Sequence, residues 1–274
     1  MLAQDFIRLA LIAGTPIAIA SGALGYFVVL RSQVFASETL SHVAFTGALA
    51  AAAVGIDLRF GLYAATIGVA LLLAVLGTRA ISDDVAIGVL LAWVLGLGAL
   101  FLDLFNRSRS GGNGVIAART LFGSIFGLST SDAEISAVVG TALVVAIAVI
   151  ARPLLFATIE PRVAATRGLP VAALSAGFLA LVGVDAALTT QAIGALLMLG
   201  LIAAPAGAAH RLTANAYLAL ALSSGFALTG LWLGIALAYE IPSLPPSSAI
   251  IGVVAAIYVI AFVTRKRTVK SRRR

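Results

Sequence analysis

The sequence predicts an all-α, polytopic integral membrane protein with eight or nine transmembrane helices. Hydrophobic residues make up 61% of the 274 residues and charged residues only 11%, whereas soluble domains contain about 45–50% and about 25% of these classes. The mean hydropathy is +1.11. The apolar segments lack the two-residue alternation that is typical of a membrane barrel. At about 20 residues per crossing, the chain has room for these helices and little else.

Nine apolar runs, each bounded by charges or turn residues, give the expected helices in order. They cover residues 6–30, 36–56, 60–78, 85–105, 135–151, 169–188, 190–209, 215–239 and 247–264. The runs at 169–188 and 190–209 are joined so closely that one of them need not span fully, which leaves eight or nine crossings. We therefore expect residues 1–264 to form a single transmembrane domain.

Residues 265–274 form a basic tail that contains seven of the 18 Lys and Arg residues. A basic segment directly after an apolar run favours the cytoplasmic surface, where it contacts anionic lipid. With nine crossings and the tail inside, thirteen Lys and Arg residues lie inside and five outside, which agrees with the positive-inside rule. We therefore attribute the net charge of +7 to basic residues that contact the membrane surface, and we expect no nucleic-acid partner.

The residue content excludes several kinds of chemistry. The chain has no cysteine, so zinc–thiolate sites and iron–sulfur clusters are not available. Its only lysines are Lys266 and Lys270, so it lacks the lysine that a phosphate-binding loop requires. It also lacks the Gly-x-Ser-x-Gly and His-Glu-x-x-His signatures. We expect no enzyme activity and no permanently bound cofactor, and ATP-driven work would need a separate ATPase.

Glu38 and His42 are the most informative residues, because they lie four apart at the start of a long apolar run. On a helix the two side chains share one face, and ionisable groups in a membrane segment tend to mark a substrate path. Carboxylate oxygen and imidazole nitrogen are common ligands of divalent transition metals. A structural interpretation is also open, in which Ser37 caps the helix, Glu38 lies in its first turn and His42 packs between helices.

One such pair supplies only two ligands, whereas zinc usually binds four. A homodimer with this face on its twofold axis would supply two Glu and two His side chains, since symmetric dimers bury identical surfaces against each other. Asp185 lies near the bilayer edge and is a further candidate for the transport pathway.

An internal segment predicts a short amphipathic helix on the cytoplasmic face. Pro161 suits the first turn of a helix, Glu160 its positive end, and Gly168 its stop. The residues of interest are Glu160, Pro161, Arg162, Val163, Ala164, Arg167 and Gly168. Such a helix is either an ordinary connector or a docking element for a cytoplasmic partner.

Six segments carry motifs in a recognisable order along nearly the whole chain. They are Gly25–Arg31, Glu38–His42, Asp83–Gly88, Leu121–Ile125, Glu160–Ala164 and Gly194–Ala206. Together they resemble permease subunits of ABC-type zinc, manganese and iron importers, the ABC-3 metal permease family. In that family the second segment typically reads Asp-Ala-Leu-Ser-His, so Glu38 stands where an aspartate is usual.

The resemblance implies a homodimeric or paired permease with two cytoplasmic ATPase subunits and an extracytoplasmic metal-binding protein. It implies a bacterial cytoplasmic membrane, with the C-terminus on the cytoplasmic side. The family's ligand pair corresponds to Glu38 and His42, and its ATPase-coupling helix to the segment from Glu160 to Gly168. We therefore expect the permease subunit of an importer for a divalent transition metal, zinc first and manganese next.

Two other functions stay open at this point. A permease for metal chelates or another small solute would need a wider and more aromatic lining, whereas aromatic residues make up only 7% of the chain. An ATP-independent secondary carrier would need no ATPase, and inverted repeats of hydropathy would favour it.

Overall fold

The computed structural model describes residues 4–81, 84–108, 123, 125–195, 198–241 and 243–271. These residues form ten α-helices and one 3₁₀ turn at Ile125–Gly127, with no strand among them, so the all-α prediction is confirmed. The helices are α1 (Asp5–Leu30), α2 (Val34–Val54), α3 (Leu58–Ile81), α4 (Asp84–Ser108), α5 (Thr130–Ile159), α6 (Pro161–Thr166), α7 (Val171–Ala192), α8 (Met198–Leu212), α9 (Ala216–Glu240) and α10 (Pro246–Ser271).

Seven of the described helices are long and apolar enough to cross a membrane, namely α1, α3, α4, α5, α7, α9 and α10. The predicted count of eight or nine is therefore slightly too high by this criterion. Helix α2 falls short because Glu38, His42 and their neighbouring serines lower its mean hydropathy. Helix α8 has 15 residues, which rise about 22 Å against a hydrocarbon core of about 30 Å.

Backbone contacts group the helices into two compact units. The first unit contains α1, the N-terminal half of α5, α8, α9 and α10. The second unit contains α2, α3, α4, the C-terminal half of α5, α6 and α7.

Polar side chains of α9 join it to α1 in the first unit. The Oγ atom of Ser223 donates to the carbonyl of Gly22, and the Trp232 indole N–H donates to the Thr15 hydroxyl at 3.1 Å. Helix α10 also packs against α9. Such interhelical hydrogen bonds hold helices together where lipid offers no hydrophobic drive.

Helix α2 is the central helix of the second unit. It packs against α3, α4 and α7, and 15 of its 21 residues are buried. Polar and ionisable side chains are costly in contact with lipid and face the protein interior instead. The fold therefore shields the polar side chains of α2 from a lipid surface.

A reciprocal glycine contact sets the close approach of α2 to α3. A Cβ atom added to Gly47 would overlap the carbonyl oxygen of Gly61, and a Cβ atom on Gly61 would overlap that of Gly47. The same added atom on Gly61 would lie 2.7 Å from the Cβ atom of Ala51. Only glycine permits backbones to approach this closely.

The variant Gly61→Ala is expected to lower the free energy of unfolding by about 1–3 kcal/mol, the usual cost of overpacking. Gly68→Ala is the matched control, because it lies on the same helix where an added Cβ atom meets nothing within 4 Å. Thermal unfolding of the purified variants measures the difference. Equal melting temperatures for Gly61→Ala and Gly68→Ala would contradict the tight α2–α3 contact.

Candidate metal centre

The side chains of Glu38 and His42 meet on one face of α2, as their spacing predicts. The Nε2 atom of His42 lies 3.4 Å from the Oε1 atom of Glu38. The His42 side chain is 10% exposed and the Glu38 side chain 19% exposed. Both groups are thus held largely away from solvent within a helix that is itself surrounded by α3, α4 and α7.

Each member of this pair has a second polar atom that the contact between them does not use. The Oε2 atom of Glu38 and the Nδ1 atom of His42 are buried and have no hydrogen-bond partner among the described residues. Because buried polar atoms are nearly always paired in native proteins, these two atoms require an explanation. Their lone pairs suit a divalent transition metal, so the donor set fits such an ion as transported cargo.

The alternative in which Ser37 caps α2 is wrong. Helix α2 begins at Val34 with Gln33 at the N-cap position, and no side chain makes a capping hydrogen bond there. Ser37 lies inside the helix, where its hydroxyl donates to the Val34 carbonyl at 2.7 Å. The helix starts three residues before the serine. Its first turn includes Val34 and Phe35, which lie upstream of the expected apolar run.

Two further hydroxyl groups near the pair are engaged by the backbone of the same helix. Thr39 donates to the carbonyl of Phe35 at 3.0 Å, and Ser41 donates to the carbonyl of Glu38 at 2.7 Å. These bonds satisfy the hydroxyl protons inside the helix, so Thr39 and Ser41 need no partner from another helix.

Thr46 extends the face of Glu38 and His42 by one more helical turn, and it was not among the residues predicted from the sequence. Its hydroxyl donates to the carbonyl of Val94 on α4 at 3.0 Å, in a buried position. This bond ties the face of α2 that carries Glu38 and His42 to α4. The four-residue spacing from His42 was a signal that could have identified Thr46.

Asp185 lies in α7 with 0% exposure, and α7 packs against both α2 and α3. Asp185 does not complete a cluster with Glu38 and His42. Within the described part of the chain, no three His, Cys, Asp or Glu side chains come together to hold a metal ion. Among the described residues, the candidate centre therefore contains two potential ligand side chains, Glu38 and His42.

The short helix predicted around Pro161 is present as α6. Pro161 occupies its first turn, Glu160 the N-cap position, and Gly168 has a φ of 79° just beyond its end. Of its six residues only Ala164 is buried, whereas Val163 is 42% exposed. Arg162 and Arg167 are also exposed, so α6 presents an apolar residue flanked by positive charge.

Some predicted features lie outside the described residues. The segment Leu121–Ile125 is described only at Gly123 and Ile125, and the side chains of the basic tail 265–274 are not described. The cytoplasmic placement of that tail stays a prediction.

These features define a polytopic helical membrane protein with a polar pair inside its most enclosed helix. The chain belongs to the ABC 3 transport family, whose sequence profile matches residues 3–265. The protein is thus a membrane transport subunit and not an enzyme, as its sequence predicts.

Named relatives cover nearly the whole chain. The manganese transport system membrane protein MntC of Halalkalibacterium halodurans is 24% identical over 265 residues, which are 96% of this chain and 88% of the relative. The manganese import system permease protein ScaB of Streptococcus parasanguinis is 24% identical over 258 residues, with 94% and 90% covered. PsaBC from Streptococcus pneumoniae, solved in complex with Fab, has the same fold, with a TM-score of 0.81 at 24% identity and with 94% and 91% covered.

Proposed function

We propose that this chain is the permease subunit of an ATP-driven importer for a divalent transition metal, with manganese as the first candidate. The observation that carries the proposal is the buried pair Glu38 and His42, whose Oε2 and Nδ1 atoms lack partners among the described residues. An unpaired carboxylate oxygen and imidazole nitrogen in a membrane helix suit a passing cation better than a structural role.

Manganese takes precedence over zinc in this proposal, which reverses the order expected from the sequence. The named relatives MntC and ScaB are described as manganese transport proteins. The donor chemistry agrees, because the chain has no cysteine and carboxylate oxygen suits manganese well. Imidazole nitrogen also suits zinc, so zinc is the competing ion in the test below.

A homodimer would complete the centre. One chain offers two ligand side chains, and metal ions in proteins usually take four or more ligands. A twofold axis beside α2 would bring Glu38 and His42 of both chains together, since a symmetric interface pairs identical surfaces. In this arrangement the metal would be shared equally by the two chains.

Helix α6 would serve as the coupling element for a cytoplasmic ATPase. The chain lacks a phosphate-binding lysine outside its tail, so the ATPase is a separate polypeptide. The exposed Val163, with Arg162 beside it, offers an apolar anchor and a positive rim, which is the usual arrangement of an interface core.

The remaining parts of the proposal follow from the orientation. With α6 and the basic tail in the cytoplasm of a bacterial cell, metal would arrive from an extracytoplasmic metal-binding protein. Residues 1–264 would act as the permease domain, and Asp185 would line the path on α7, where a buried carboxylate attracts a cation.

Reconstitution into vesicles with the ATPase and the metal-binding protein tests this function. Uptake of manganese and zinc is measured separately, with and without ATP, from the same preparation. ATP-dependent uptake with manganese preferred is the expected result. Uptake of both metals at the rate of empty vesicles would contradict the proposal, and equal uptake without ATP would favour a secondary carrier.

A further inference from the structure

We propose that Arg31 is a positioning residue that links the ligand helix α2 to α7, and through α7 to the coupling helix α6. This inference rests on the proposed function, since it concerns how ATPase motion reaches Glu38 and His42. All of the residues involved lie in the second unit.

Arg31 holds α7 by two different contacts. Its Nη2 atom donates to the Ser175 hydroxyl at 2.7 Å, and its guanidinium carbon lies 5.3 Å from the centre of the Phe178 ring. Phe178 is 0% exposed, so the ring is fixed by its surroundings. A hydrogen bond and a cation–π contact together fix both the position and the plane of the guanidinium group.

The connection from Arg31 to α2 is short and constrained. Ser32 adopts a left-handed backbone with a φ of 55°, which is uncommon for any residue but glycine. Gln33 follows as the buried N-cap residue of α2, and its carbonyl accepts from the Ser37 amide at 3.0 Å. Because this turn has little freedom, a displacement of Arg31 is passed to the first turn of α2, directly before Glu38.

The connection from α7 to α6 is equally short. Only residues 167–170 separate the two helices, and the Leu169 amide donates back to the Ala164 carbonyl of α6 at 3.1 Å. Ser175 and Phe178 lie within the first two turns of α7. A displacement of α6 is therefore transmitted to Arg31 through the N-terminal part of α7 and the contacts of the Arg31 side chain with Ser175 and Phe178.

Burial also makes the arginine dependent on these partners. Desolvation lowers the pKa of Arg31, since burial disfavours a charged group unless neighbours compensate. Ser175 and Phe178 supply that compensation. Loss of either contact would loosen the attachment of Arg31 to α7 without removing a proposed metal ligand.

The test uses the complex with its ATPase and compares wild type, Arg31→Gln and Ser175→Ala. The first readout is the number of metal ions imported per ATP hydrolysed. The second is independent of cargo: the chain has no cysteine, so spin labels at Val54→Cys and Ala173→Cys report the distance between α2 and α7. Both label positions are exposed, and labelled chains are diluted with unlabelled ones.

In wild type the α2–α7 distance should stay constant between nucleotide-free and ATP-bound states. In Arg31→Gln it should become nucleotide-dependent, with ions per ATP reduced about 10-fold, within the usual range of coupling between sites. Ser175→Ala, which keeps the cation–π contact, should show a smaller change in the same direction. Equilibrium manganese binding should stay close to that of wild type in both variants, because neither change removes Glu38 or His42.

Arg211→Gln is the matched control, because Arg211 makes the same kind of contact in the first unit. Its Nη2 atom donates to the Tyr258 hydroxyl at 2.8 Å, and its guanidinium group lies over the Phe262 ring. The inference is overturned if Arg31→Gln keeps the wild-type distance and ion-to-ATP ratio, or if Arg211→Gln changes the α2–α7 distance as much. If wild type imports no metal, the proposed function fails. The role of Arg31 in joining α2 to α7 is then tested by the distance between the two spin labels alone.

Discussion

His42→Ala is expected to reduce metal import at least about 100-fold, because even residues that only support a ligand cost about 10–100-fold in metal affinity or activity when they are lost. Glu38→Ala should have an effect of similar size. Either change removes one ligand from each chain and leaves the opposite member buried without its 3.4 Å neighbour. Metal uptake by reconstituted vesicles, corrected for the amount of assembled complex, measures the loss.

Conservative variants separate ligand loss from damage to the fold. Glu38→Asp restores the carboxylate that is usual in the family and should keep most of the import activity, whereas Glu38→Gln keeps the shape but loses the charge and should import poorly. His210→Phe is the control for His42: phenylalanine keeps the stacking on the Tyr26 ring, whose centroid lies 4.6 Å from that of His210, and loses the contact of the His210 Nε2 atom with the Tyr26 carbonyl at 3.2 Å. Import that survives His42→Ala but fails in His210→Phe would contradict the assignment.

Val163→Asp is expected to weaken association with the ATPase by about 2 kcal/mol, which is roughly 30-fold in the dissociation constant. Val163 is 42% exposed in α6, so the protein alone should tolerate the change, while a charge at the core of an interface would not be tolerated. Titration of the purified permease with the ATPase gives the affinity directly.

Ala214→Asp is the matched control for Val163→Asp. Ala214 is exposed in the connection between α8 and α9, which the distribution of Lys and Arg in the sequence predicts to lie on the same side of the membrane as α6. The Ala214→Asp variant should bind the ATPase with the same affinity as wild type. Equal weakening by both variants would assign the effect to general charge repulsion, and no weakening by Val163→Asp would remove α6 from the interface.

Hydropathy predicted the helices well where they are apolar throughout. The expected run 215–239 became α9 at Ala216–Glu240, and the run 6–30 became α1 at Asp5–Leu30. It failed at polar helix ends, as in α5, which begins at Thr130 and not at 135. There the Ser129 amide donates to the Asp132 carboxylate and the Asp132 amide donates to the Ser129 hydroxyl, a capping box that hydropathy does not measure.

The candidate site was predictable only where it is local. The contact of Glu38 with His42 follows from a spacing of four on one helix, so the sequence alone indicates it. The bonds that orient this helix join residues far apart in the chain: Thr46 to Val94 across 48 residues, and Arg31 to Ser175 across 144. No periodicity in a single sequence encodes such pairs, because they depend on how separate helices pack.

The number of manganese ions bound by the assembled complex tests the central claim most directly. Equilibrium dialysis followed by elemental analysis gives this number per permease chain, and electron paramagnetic resonance reports the ligands of the bound ion. We expect one ion for every two chains, with nitrogen among its ligands, and loss of that ion in both His42→Ala and Glu38→Ala. Binding of the same number of ions with unchanged affinity in these two variants would contradict a metal site built on Glu38 and His42.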